Sequence, residues 1–217
     1  EASSALKIIA AHKARIVFIS YPNNPTGNCF SEQEIQQVIE QFEGIVVLDE
    51  AYHDFSGKTF IKQMEKHNNL VILRSLSKIG LAGLRVGYGI FPVMLAEQVN
   101  KVRLPYNSNS ISQWVANELL NDFTPVQNQI HSIVEERDRL MDELSKLPGI
   151  TAYPSNSNFI LFRASKDGEK VFNNLKANGT LLRNLGSHPR LKNCLRVTIG
   201  TKQENDQFLS QLRKAAS

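Results

Sequence analysis

The sequence predicts an α/β protein: part of a mostly parallel sheet with flanking helices, followed by a small α+β unit. Three observations carry that expectation. Short apolar runs at residues 15–20, 45–48 and 70–73, rich in Val, Ile and Leu, are separated by long intervening segments, one of them plainly helical. None of them alternates apolar with polar residues, as strands covered on both faces of a parallel sheet do not. After Pro105 the texture changes to amphipathic, charge-rich helices and shorter strands.

Taken in order, residues 5–12 read as the end of a helix, and residues 15–20 as the first strand. Ser31, with Glu34 three positions on, opens a second helix by a capping box; it runs to about Phe42 and closes at Gly44. Residues 45–48 and 70–73 are the next strands, and residues 86–90 a fourth. Helical patterns cover 111–120 and 130–147. The second contains Glu135, Glu136, Arg137, Asp138 and Arg139, a solvated face, and stops at Pro148-Gly149. A strand at 158–163, a helix at 168–177, strands at 181–182 and 194–199, and a last helix from Gln203 complete the chain. The expected organisation is a large-domain part over 1–110, a helical connection over 111–147 and a small domain over 148–217.

Composition narrows the function classes. A charged fraction of 21% and a hydrophobic fraction of 41% suit a soluble globular protein of one sizeable core or two smaller ones. No apolar run reaches the roughly 20 residues needed to cross a bilayer, and no signal peptide is visible. The net charge of +4 is mild and its Lys and Arg residues are scattered, unlike a nucleic-acid surface. Cys29 and Cys194 have neither disulfide-framework nor metal-ligand spacing, so no metal is expected and a reducing cytoplasm fits best. Asn178-Gly179-Thr180 is read as a turn rather than a glycosylation site. The chain lacks an initiating Met, from which a processed chain or a piece of a longer one is expected.

Ligands of open parallel sheets bind outside the carboxyl ends of the strands. There the three strands run into Tyr21-Pro22-Asn23-Asn24-Pro25-Thr26-Gly27, into Asp49-Glu50-Ala51-Tyr52, and into Arg74-Ser75-Leu76-Ser77-Lys78 with Gly83-Leu84-Arg85 beyond. Singly, each has an ordinary reading as turn, helix cap or surface lysine. Together, in this order, they resemble the fold-type-I pyridoxal-phosphate aminotransferases, most closely the histidinol-phosphate aminotransferase subfamily. Leu104-Pro105-Tyr106-Asn107, residues 157–163 and residues 194–201 resemble the same family, so the likeness covers essentially the whole chain. The stretch from Leu182-Arg183-Asn184 to Gly186-Ser187-His188-Pro189 is its most subfamily-specific part.

The resemblance implies pyridoxal 5′-phosphate as cofactor and transamination between L-histidinol phosphate and 2-oxoglutarate, in histidine biosynthesis. It implies Lys78 as the Schiff-base lysine and proton shuttle, and Asp49 as partner of the pyridine nitrogen. Asn24 and Tyr52 would bond the ring 3′-oxygen, and Ser75, Ser77 and Arg85 the cofactor phosphate. Arg85 lies seven positions after Lys78, where many relatives have eight. Arg196 would bind the substrate α-carboxylate, Arg183 the substrate phosphate, and Asn158 would lie beside the substrate or serve as a strand residue. The Asn24-Pro25 bond is expected to be cis, as relatives use such a bond to aim the Asn side chain at the ring oxygen. The complete protein is expected to be a homodimer.

The same resemblance implies that an N-terminal part of the family is absent from this chain. That part normally supplies helix-terminus amides for the phosphate, the aromatic ring that stacks on the pyridine, and a tyrosine reaching the partner's site, so the chain on its own is expected to be inactive. Three rival readings stand beside it. One is another fold-type-I aminotransferase or a phospho-amino-acid decarboxylase. Another is a truncated, non-catalytic domain. The Ser75-Leu76-Ser77-Lys78 match to penicillin-recognising hydrolases lacks their Ser-Asp-Asn and Lys-Thr-Gly partners.

Overall fold

In the computed structural model, which describes residues 1–216, the chain forms two four-stranded sheets, one in each of two units. The first unit comprises Glu1–Asn23 and Cys29–Gln127, the second Asn24–Asn28 and Asn128–Ser217.

The sheet of the first unit has the order β1 (Ile16–Ser20), β2 (Ile45–Asp49), β3 (Leu70–Ser75), β4 (Gly87–Ile90). The first three strands are parallel and β4 runs antiparallel to β3. α1 (Ala2–Ala11) and α2 (Glu32–Gln41) pack on this sheet through Ala2, Leu6, Ile35, Val38 and Ile39, which join Val46, Leu48, Leu70 and Ile72 in one core. The Ser31 hydroxyl accepts from the Glu34 N–H at 3.4 Å, the expected cap of α2. Asn69 then ties the end of α2 to the start of β3, its Nδ2 donating to the carbonyls of Ile39, Phe42 and Gly44 at 3.0, 3.0 and 3.3 Å.

The expectation of two covered faces holds at β2, whose Val46, Val47 and Leu48 are buried, and at the start of β3. It fails at β1, where Ile16 and Phe18 are 50% and 68% exposed. Their strand lies at the sheet edge, with nothing among the described residues over their face. Beyond β2 come α3 (His53–Ser56) and, after β4, α4 (Val93–Val102), α5 (Ser110–Asn121) and α6 (Thr124–Ser145). α4 has no buried residue.

The second unit has an antiparallel sheet of order β5 (Ile150–Ala152), β6 (Phe159–Ala164), β8 (Cys194–Thr198), β7 (Arg183–Asn184). Most of α6, together with α7 (Gly168–Ala177) and α8 (Lys202–Ala216), covers one face of it. Leu140, Leu144, Ile160, Phe162, Leu175, Leu195 and Leu212 form the centre of that core. The charge run of α6 is spent partly on α8: Arg139 bonds Glu136 and Asp206 at 2.8 Å each, and Arg213 meets Glu143 at 2.9 Å.

Two strands differ from expectation. β7 lies at residues 183–184 rather than 181–182, because Leu182 is the buried anchor that precedes the pairing while Leu181 is 75% exposed. The three-residue β5 is too short to carry a pattern. The division between units falls at Gln127, inside α6, rather than at 110 and 147, since Pro105 and Pro148 mark element ends and not boundaries of packing. The loop Asn24–Asn28 belongs to the second unit. Its Asn24–Pro25 bond is cis, as expected, and Tyr21–Pro22 is cis also. Gly27 has φ +80° and its carbonyl accepts from the Asn156 N–H at 2.7 Å.

Candidate active site

Because β1, β2 and β3 are parallel and in step, their carboxyl ends open on the same side of the first unit. Asp49 closes β2 opposite Ser20 of β1 and Leu73 of β3. Its carbonyl accepts from the Tyr21 N–H at 2.8 Å, and its Oδ1 from the Ala51 N–H at 3.1 Å, which turns the chain into the next segment. Tyr52, 7% exposed, heads α3. β3 leaves the sheet through Ser75 into a 3₁₀ turn, Leu76–Ile79, capped by the Ser75 hydroxyl accepting from the Ser77 N–H at 3.2 Å and closed by Gly80 at φ +94°.

That turn presents Lys78 on the surface, with Nζ 5.5 Å from the centroid of the Tyr52 ring, within the range of a cation–π contact. Arg85 follows a second 3₁₀ turn, Ala82–Leu84, in left-handed backbone at φ +56°. It lies two residues before Gly87, the antiparallel partner of Ser75, so it returns to the same sheet end. Asp49, Tyr52, Ser75, Ser77, Lys78 and Arg85 therefore share the carboxyl end of the first unit's strands.

Two residues that sequence reasoning passed over stand directly behind them. Glu50 is fully buried and bonds Arg74, which is 13% exposed, at 2.9 Å. Burial works against the Arg74 guanidinium, but Glu50 and Tyr88 together outweigh it and hold it more firmly charged. Next to them, burial lowers the pKa of His53 and raises that of Asp54, two half-buried neighbours 3.4 Å apart. The available signal was a carboxylate and a guanidinium at the ends of otherwise apolar strands.

The second unit holds the other expected residues. Arg196, in β8, stands opposite Leu161 of β6 and opposite Arg183 of β7. Its Nη1 donates to Asn24 Oδ1 at 2.5 Å, and its guanidinium carbon lies 4.6 Å from the Phe159 ring centroid. Its Nε is buried with no hydrogen-bond partner among the described residues. Arg183 is exposed. Asn158 is half-buried just ahead of β6, and its carbonyl accepts from the Ile199 N–H at 2.9 Å, a sheet-extending bond.

An α/β scaffold whose strand ends gather an amine, a carboxylate, hydroxyls and an arginine defines a ligand-binding class rather than a structural one. The profile described as aminotransferase class I and II matches residues 2–212, and the chain belongs to that family. It is 44% identical over 210 residues to histidinol-phosphate aminotransferase 2 of Nitrosococcus oceani, covering 96% of this chain and 58% of that protein. The histidinol-phosphate aminotransferase of Clostridium acetobutylicum superimposes with a TM-score of 0.89 at 25% identity, covering 96% of this chain and 66% of the other. The enzyme of that name from Sinorhizobium meliloti, solved in complex with pyridoxal-5′-phosphate, gives a TM-score of 0.86 at 24% identity, over 100% and 61% of the two chains. The chain thus spans a little under three-fifths of the curated relative from Nitrosococcus. No described helix is long and apolar enough to cross a membrane.

Proposed function

We propose that this chain is the lysine-bearing part of a pyridoxal-phosphate aminotransferase acting on L-histidinol phosphate with 2-oxoglutarate, in histidine biosynthesis. The observation that carries the reading is Lys78 Nζ beside the Tyr52 ring, at the same sheet end as Asp49. The donor set suits the cofactor: an amine for its aldehyde, a carboxylate for its pyridine nitrogen, and two serine hydroxyls with a guanidinium for its phosphate.

Pyridoxal phosphate, when bound, supplies an electron sink conjugated to the substrate α-carbon. Lys78 would hold the cofactor and then move a proton to and from that α-carbon through Nζ. Asp49 would keep a proton on the pyridine nitrogen. Asn24 and Tyr52 would donate to the ring oxygen, and Ser75, Ser77 and Arg85 would neutralise and orient the phosphate. Arg196 and Arg183 stand directly opposite each other, like charges that repel without an anion. That pairing supports two anionic substrates bound in turn, the α-carboxylate of the keto acid or glutamate on Arg196 and the phosphate of histidinol phosphate on Arg183. Asn158 would border the same substrate. A cytoplasmic homodimer completes the proposal, supported by exposed apolar side chains of the first unit such as Met94, Val102 and Trp114.

The test is borohydride reduction of the protein with pyridoxal phosphate, followed by peptide mapping, and turnover of histidinol phosphate with 2-oxoglutarate. Label on Lys78 and, in the full-length protein, amine transfer are expected, and Lys78→Ala should abolish both. Label confined to other lysines would overturn the cofactor assignment. Release of carbon dioxide from an O-phospho amino acid, with no amine transfer to 2-oxoglutarate, would move the chain to a decarboxylase.

A further inference from the structure

Among the described residues, Glu50 carries the only buried carboxylate, at 0% exposure. Its two oxygens take four hydrogen bonds. Oε1 accepts from the Phe60 N–H at 2.8 Å. Oε2 accepts from Thr59 Oγ1 at 2.8 Å and from Arg74 Nε and Nη2 at 3.2 and 2.9 Å. Arg74 Nη2 also reaches Thr59 Oγ1 at 2.8 Å. Burying such a pair offers little stability over a well-packed apolar pair, so stability alone does not explain it. What a planar guanidinium on a fixed carboxylate does supply is geometry.

The places where the two residues leave the sheet give that geometry a use. Glu50 lies between Asp49 and Tyr52, and its carbonyl accepts from the His53 N–H at 3.0 Å and faces His53 Nδ1 at 3.2 Å, which sets the start of α3. Arg74 immediately precedes Ser75, whose hydroxyl caps the turn carrying Lys78. The four-residue turn is anchored by its buried Leu76 and Ile79, and the exit of β3 sets the direction in which it carries the exposed Lys78.

We propose that Glu50 and Arg74 are a positioning pair: by joining the exits of β2 and β3 they hold the Tyr52 ring against the Lys78 amine while touching no reacting atom. The role assigned to Lys78 rests on the aminotransferase reading, but the contact being positioned does not.

The experiment uses the whole chain without cofactor. Competitive acetylation is read by peptide mass spectrometry as the ratio of Lys78 to Lys7 modification, Lys7 being an exposed residue of α1. The double variant Glu50→Leu/Arg74→Met keeps an apolar filling but loses the clamp. Its ratio should change by about threefold or more, as a side chain held in one pose gains others. Arg74→Lys, which keeps the charge but not the fork, should fall between it and the parent. A ratio within about 1.5-fold of the parent in a folded double variant would overturn the proposal, because a purely structural pair alters melting and not the Lys78 pose. Should the double variant fail to fold by circular dichroism, Thr59→Val, which removes one bond to Glu50 and one to Arg74, decides by the same ratio. Because no cofactor is present, failure of pyridoxal phosphate to bind would count against the aminotransferase reading and leave this measurement intact.

Discussion

Removing Arg74 alone should destabilise the first unit more than removing Arg74 and Glu50 together. With Arg74→Met, the carboxylate of Glu50 stays in a site of 0% exposure without its cation. Breaking a buried pair from one side costs about 3–5 kcal/mol. In the double variant Glu50→Leu/Arg74→Met the buried charge is gone. What remains is the Phe60 N–H without its acceptor, about 1–3 kcal/mol, set against a gain from apolar packing of about 1–4 kcal/mol. The double variant should therefore lie between roughly 2 kcal/mol below and 3 kcal/mol above the parent by the same terms. The sole tryptophan, Trp114, lies in the first unit, so its fluorescence during a urea titration follows that unit. At a slope of about 2 kcal/mol per molar, Arg74→Met should lower the midpoint by roughly 1.5–2.5 M. A double variant as unstable as Arg74→Met, or an Arg74→Met midpoint equal to the parent's, would refute the reasoning.

Three further outcomes follow from the second unit and the two thiols. Gly27→Ala places a Cβ 2.5 Å from Ser155 Oγ at φ +80°; the left-handed backbone alone costs about 1–2 kcal/mol. The variant should melt earlier, and adding Ser155→Gly should restore only part of the loss; an unchanged melting temperature would contradict the loop geometry. The Arg139 bond, opposed by burial and aided by Asn205, holds the Glu136 carboxyl below its ordinary range. A depressed acid stabilises the fold above its unfolded pKa and loses that contribution as pH falls through the folded value. Glu136→Gln should thus lower the melting temperature at neutral pH, with the gap closing below about pH 4. Burial pushes both thiols up, and Cys194 is fully buried where Cys29 is half-buried. A disulfide reagent at neutral pH should therefore modify Cys29 first and reach Cys194 only on unfolding; the reverse order would contradict the packing.

The strands of the first unit were legible because Val46-Val47-Leu48 and Leu70-Val71-Ile72 are apolar without interruption and end on polar residues of unusual chemistry. The start of α2 was legible too, since Ser31 acts through a local bond, whereas its end at Phe42 is tied down by Asn69, which also bonds the Gly44 carbonyl. What the residues alone did not reveal is set by contacts distant in sequence. Glu50 finds Arg74 only because β2 and β3 are adjacent, and β7 exists only because Arg183 lies opposite Arg196. The open face of β1 departs from expectation for a related reason. Ile16 and Phe18 look like core residues, and no property of the strand itself says what covers it. The candidate site was legible as three strand-end motifs, whereas the opposed arginines of the second unit required the register of its sheet.

The chain passes from the first unit to the second at Asn24, back at Cys29, and over again at Asn128. The second unit is therefore discontinuous: a polypeptide starting at Asn128 would lack the loop that receives the Asn156 bond and the Asn24 amide that meets Arg196. During synthesis, which proceeds from the amino terminus, that loop emerges long before the sheet it will join. It must wait, tethered at both ends to a folding neighbour, until β6 and β8 have been made. The two cores are thus separate in packing but interleaved in the order of assembly, and a single protease cut at the α6 boundary would not release an intact second unit.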